Sequence, residues 1–311
     1  MKIVFMGTPD FAVPSLRAVV EAKHDVLAVV TNQDEPQGRG LKVLPSAVKT
    51  AALELSLPII EIFSPKNPEF IARLKELSPD VMVVVAFRIL PPNVFSIPRV
   101  GTFNLHASLL PKYRGAAPIN WAIINGEKET GVTTFFIDDK VDTGKVILQK
   151  KTQIGEDETA GELAKRLSQL GAEAVIETLA QIQNASVNVM EQDNSLSTKA
   201  PKILKEDCLI DWSKPAGVVH NFIRGFSPDP GGYTFLGNKM LKIFRTRALH
   251  GSGVFPAGIV KVDGGRFFVA CGDNFLEILE LQLEGKKKLA SADFLRGAKV
   301  EPGTQLKKSR V

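Results

Sequence analysis

The chain has 311 residues, about twice the length of a typical single core, so two domains are expected. A hydrophobic fraction of 44% and a charged fraction of 23% exclude a disordered or collagen-like chain, and the longest apolar runs fall far short of the roughly 20 residues of a membrane helix, so a cytoplasmic protein with no membrane partner is expected. The only cysteines are Cys208 and Cys271, with no histidine cluster beside them, which argues against a disulfide framework and a bound metal.

Lys2 to Met6, Val26 to Thr31, Pro58 to Ile62, Val81 to Phe87 and Gly101 to Leu105 are short continuous apolar runs, the pattern of strands covered on both faces. Between them, Ala12 to Ala22, Ser46 to Leu55 and Pro68 to Leu77 repeat apolar residues at three-to-four spacing, with Ser46 and Asn67-Pro68 as helix starts. The alternation predicts an α/β fold, a doubly wound and mostly parallel sheet. A strand pair, Gly131 to Ile137 and Lys145 to Lys151, and a long helix from Thr159 to Gln183 complete a first domain of residues 1–184. Residues 185–207 are polar and irregular and read as a linker. In the second domain, 208–311, a helix over Pro215 to Ile223 precedes strands at Tyr233 to Leu236, Met240 to Thr246, Gly258 to Val262, Arg266 to Ala270 and Leu276 to Leu283, a spacing that predicts a smaller β-barrel of OB-like kind.

The net charge of +5 is unevenly spread: residues 209–311 hold 16 Lys and Arg against 9 Asp and Glu, while residues 1–208 hold 23 against 25. A basic final third either meets a polyanion or only solubilises the chain. Lys239, Lys242, Arg245 and Arg247 are its candidates for phosphate contact.

The first turn, Gly7-Thr8-Pro9-Asp10-Phe11, has one glycine and a proline where a dinucleotide site carries three glycines, which argues against such a site. Asn104 and His106, two apart on a predicted strand, share a face near its carboxyl end. A loop with Asp138, Asp139 and Asp142 follows downstream. An amide, an imidazole and a carboxylate suit acyl transfer, although each residue alone has a commoner role as a turn former, core histidine or cap.

The run Asn104 to Pro111, followed by Tyr113 to Ile119, Glu129 to Thr133 and Asp139 to Gly144, with Gly7 to Ala12 before it and Asp211-Trp212 after it, resembles the folate-dependent formyltransferases, within them those acting on methionyl-tRNA. The resemblance implies that Asn104, His106 and Asp142 are catalytic, with a protonated His106 aiding Asn104 at the formyl oxygen and Asp142 relaying the amine's proton. It implies 10-formyltetrahydrofolate as co-substrate, held by Ser108, Leu109, Leu110 and Pro111 with Val85, Phe87 and Asp139. It further implies initiator methionyl-tRNA as the partner of a monomer, met by Arg39 and Lys42 of the stretch after the second strand and by the basic barrel. Two stretches depart from the family pattern: Ala86-Phe87-Arg88, where the family commonly has Ala-Tyr-Gly, and Ser227-Pro228-Asp229-Pro230, where a Trp is common.

Overall fold

In the computed structural model, which describes residues 1–37, 42–249, 253, 255–298 and 300–309, strand β1 (Lys2–Gly7) is buried from Ile3 onward, as an apolar run without polar alternation requires. Helix α1 (Val13–Glu21), β2 (Asp25–Asn32) and a hairpin of β3 (Glu35–Gln37) and β4 (Lys42–Leu44) follow. Ser46 caps α2 (Ala47–Glu54) by accepting from the Lys49 amide at 3.0 Å, and β5 (Ile59–Ile62) comes next. Asn67 likewise caps α3 (Pro68–Leu77), accepting from the amides of Glu69 and Phe70. Then come β6 (Val81–Val85), α4 (Pro92–Phe95) and β7 (Gly101–His106). β6 stops two residues before the expected end because Ala86 adopts φ +47°, which turns the chain out of the sheet.

After β8 (Arg114–Gly115) and α5 (Pro118–Ile124), the strands β9 (Glu129–Phe136) and β10 (Val146–Gln153) complete a seven-stranded sheet in the order β10-β9-β7-β6-β1-β2-β5. It is parallel from β7 to β5, and β9 runs antiparallel to β7. On one face Val4, Met6, Val30, Met82 and Val84 pack with Phe70 and Leu74 of α3. Helix α6 (Ala160–Gln183) opens on a capping box: the Thr159 amide donates to Glu162 Oε2 at 2.9 Å and the Glu162 amide to Thr159 Oγ1 at 3.3 Å.

The chain divides into two units, the first formed by Met1–Gly115, Thr130–Thr152 and Ala164–Ala200, the second by Ala116–Glu129, Gln153–Leu163 and Pro201–Val311. The stretch expected as a linker belongs to the first unit as far as Ala200. Met190 and Val146 exchange backbone hydrogen bonds, and β11 (Lys199–Ala200) pairs in parallel with β8. Its polar composition reflects surface position and side-chain bonding rather than freedom.

In the second unit α7 (Ala216–Gly225) precedes β12 (Gly232–Leu236), β13 (Lys239–Ala248), β14 (Val260–Asp263), β15 (Arg266–Ala270), β16 (Phe275–Leu283), β17 (Leu289–Ala290) and α8 (Ser291–Gly297). The antiparallel order is β12-β13-β16-β15-β14, with β17 beside β16. Residues 304–307 close this sheet: Lys307 and Phe235 exchange hydrogen bonds at one edge, and Thr304 O and Gly258 O accept from the Val260 and Leu306 amides at the other. Trp212, Ile243, Phe267, Ile278, Leu281 and Phe294 fill the interior. No helix among the described residues is long and apolar enough to cross a membrane.

Candidate active site

Gly7 pairs with Val85 and Val85 with Leu105, so Thr8, Ala86 and His106 line up along one edge, at the carboxyl ends of three adjacent strands. Ligands of open parallel sheets gather at that edge. The glycine of the first turn has a packing reason: a Cβ on Gly7 would sit 2.8 Å from the Ala12 Cβ and 3.0 Å from the Val85 carbonyl oxygen.

Asn104 and His106 share a face of β7, as their spacing requires. Asn104 is half-buried, and its side-chain amide takes no hydrogen-bond partner among the described residues. His106 is only 6% exposed. Its Nε2 lies 2.8 Å from the Tyr113 carbonyl oxygen, which can only accept, so Nε2 carries the proton. Nδ1 is therefore the ring nitrogen left for another partner. It faces Asp142 Oδ2 at 3.8 Å, too long for a direct hydrogen bond, while that oxygen accepts from the Gly115 amide at 2.8 Å. Asp142 and Tyr113 both lie in the left-handed region, at φ +57° and +60°, conformations that only their surroundings sustain.

The loop after β7 is bonded internally. Ser108 Oγ donates to the Lys112 carbonyl at 2.6 Å. Thr133 Oγ1, fully buried on β9, donates to the Ser108 carbonyl at 2.7 Å and accepts from the Leu110 amide and from Gln149 Nε2, both at 3.1 Å. Gln149 Nε2 also reaches the Leu110 carbonyl at 2.8 Å. Leu109 and Pro111 are half-buried, whereas Leu110 is buried. Of the other residues expected at the folate site, Val85 is fully buried, Phe87 packs against the core of the sheet face, and Asp139 is exposed. Arg88 donates from Nε to Asn32 Oδ1 at 2.7 Å, tying the segment after β6 to the end of β2. Asp229 is exposed.

The residues expected to meet phosphate divide. Arg39 lies outside the described residues, and Lys42 begins β4. Lys242 Nζ donates to the Pro230 carbonyl, Arg245 pairs with Glu162 and Glu280, and Arg247 with Glu277. Lys239 is exposed, as are Lys286 and Lys287. Gln149, Thr133, Gln192 and Thr198 surround these residues; Thr133 falls within the family motif, whereas the other three carry no sequence signal, being single polar residues in a strand or in the apparent linker.

An unpartnered amide, an imidazole with one nitrogen fixed and a carboxylate, at the carboxyl end of a parallel sheet, are groups suited to chemistry at a carbonyl carbon. Residues 1–179 match the formyl transferase family and residues 202–299 the formyl transferase C-terminal domain; the chain belongs to the formyl transferase family. It is 49% identical over 309 residues to the methionyl-tRNA formyltransferase of Chlorobium phaeovibrioides, with 97% of each chain covered. To that of Citrifermentans bemidjiense it is 48% identical over 309 residues, covering 99% of this chain and 97% of the relative. Among solved structures, the N-formyltransferase of Helicobacter canadensis in complex with folinic acid and dTDP-3-aminofucose shares the fold, with a TM-score of 0.67 at 22% identity over 93% of this chain and all of that one.

Proposed function

We propose that the chain transfers the formyl group of 10-formyltetrahydrofolate to the α-amino group of initiator methionyl-tRNA. The observation that carries this reading is the convergence of Asn104, His106 and Asp142 at the end of β7, in a chain about half identical to methionyl-tRNA formyltransferases along nearly its whole length. The folate supplies the formyl carbon. The half-buried Leu109 and Pro111 and the exposed Asp139 fit it as apolar walls and a polar rim.

A free α-amino group has a pKa of about 8, and the electron-withdrawing ester beside it lowers that value, so a substantial part is already the neutral nucleophile near neutral pH. As it attacks, the formyl oxygen gains charge, and the free Asn104 amide donates to it. With Nε2 committed to Tyr113, His106 acts through Nδ1, not through both nitrogens. Asp142 and that nitrogen carry the proton from the amine to the folate nitrogen that releases the formyl group. One C–N bond forms as another breaks, and no covalent enzyme intermediate is required. Loss of either donor, in Asn104→Ala or His106→Ala, is expected to slow single-turnover transfer by about 10² to 10³; near-normal rates in either variant would remove that residue from the mechanism.

The tRNA backbone is assigned to Arg39, Lys42, Lys239, Lys242, Arg245 and Arg247, with the exposed Lys239 supported best. The enzyme is proposed to act as a cytoplasmic monomer. The test is incubation with 10-formyltetrahydrofolate and charged initiator tRNA, with a dTDP-amino sugar as rival acceptor. Formylmethionine on the tRNA is expected; formylation of the sugar alone would replace the acceptor.

A further inference from the structure

We infer that Gln192, in the strap from Met190 to Ala200, is a positioning residue that holds Asp142 against His106; the inference rests on the proposed catalytic role of that pair. Gln192 Nε2 donates to the carbonyls of Asp142 and Gly144, at 3.0 and 2.8 Å, and Oε1 accepts from Arg114 Nε and Nη2, at 3.2 and 2.7 Å. Carbonyls cannot donate and a guanidinium cannot accept, so the amide has one permitted orientation and every bond in it is satisfied. The left-handed turn at Asp142 is thereby gripped from its own carbonyl and from that of Gly144.

The same strap reaches the other catalytic side chain. Thr198 Oγ1 accepts from the Tyr113 amide at 2.8 Å, and the Thr198 carbonyl accepts from the Arg114 amide at 2.9 Å. Tyr113 is the residue whose carbonyl fixes His106, and Gly115, two residues on, holds the Asp142 carboxylate. There is no slack between strap and site: a Cβ on Gly115 would lie 2.5 Å from the Ala200 carbonyl oxygen. Gln192 thus sets Asp142 while Thr198 sets His106, and the 3.8 Å between Nδ1 and Oδ2 depends on both. Among the described residues the Gln192 side chain bonds to Asp142, Gly144 and Arg114 alone, so it acts through Asp142.

The experiment compares the full chain with Gln192→Ala, Gln192→Glu, Thr198→Ala and Thr198→Ser by single-turnover formyl transfer across pH, by KM for folate and tRNA, and by NMR titration of the His106 ring. Misplacing a reacting group by about 1 Å can cost about 10²-fold in rate. A loss of that order is expected in both Gln192 variants and in Thr198→Ala, with KM unchanged, an altered pH profile and a displaced His106 titration. Thr198→Ser keeps the hydroxyl and is expected to stay near wild type, which separates bond loss from general damage. A wild-type rate and an unchanged His106 titration in Gln192→Ala would overturn the inference. A displaced titration in a wild-type background that transfers no formyl group would support the positioning and overturn the functional reading alone.

Discussion

Replacing Thr133 with Val changes the loop after β7 at one atom. Valine keeps the shape of threonine, so no cavity opens, but the buried hydroxyl makes three hydrogen bonds, one as donor and two as acceptor. Gln149 retains its bond to the Leu110 carbonyl, whereas the Ser108 carbonyl and the Leu110 amide lose their partner. Leaving a buried polar group unsatisfied costs about 1–3 kcal/mol, so two such groups should lower the unfolding free energy by about 2–6 kcal/mol. That is a large part of a typical total of about 5–15 kcal/mol, yet the protein should still fold. Urea unfolding at unchanged slope is the measurement, with Thr133→Ser, which keeps the hydroxyl, as the control. A loss below about 0.5 kcal/mol, within the usual range of a neutral surface change, would refute the claim that this hydroxyl organises the loop.

Other expectations concern separate parts of the chain. The Thr159 backbone amide and then the Arg245 guanidinium hold the Glu162 carboxyl down at about 2, from an ordinary 4.5. A depressed carboxyl contributes stability that is complete above its unfolded value and lost as pH falls through the folded one, so acid should destabilise wild type more steeply than Glu162→Gln across that window; equal slopes would contradict this. Burial pushes the Cys208 thiol up to about 11 and that of Cys271 up to about 12. A thiol reagent at neutral pH should therefore modify both slowly in the native protein and rapidly after denaturation, and prompt native labelling would disprove their inertness. Gly115→Ala forces a side chain at φ +125° against the Ala200 carbonyl and should lower activity and thermal stability together; a wild-type melting curve would count against the close docking of the strap.

The sheet was legible because its strands are apolar on both faces and its helices carry Ser46 and Asn67 at their starts. Spacing and family motif singled out Asn104, His106 and Asp142, and the structure places Asn104 and His106 on one face of β7 with Asp142 Oδ2 3.8 Å from the His106 ring. The strap was not legible: Gln192 and Thr198 lie among polar residues, and only their distant partners distinguish them from a flexible connection. Val85 was misleading in another way, since an apolar residue at a strand end reads equally as pocket wall or core, and here it is core. Charge patterning on β13 overstated the free cations for a similar reason, because the partners Glu162, Glu277 and Glu280 sit on other elements. Helix α8 is seven residues long, too short for its apolar spacing to emerge.

The chain crosses between its two units five times, after residues 115, 129, 152, 163 and 200. A gene cut at residue 200 would strip the barrel of α5 and of the Thr159–Glu162 cap that meets Arg245. Each unit is therefore assembled from separate stretches of the chain, and recombination can exchange the second unit between relatives only by transplanting all of its segments together.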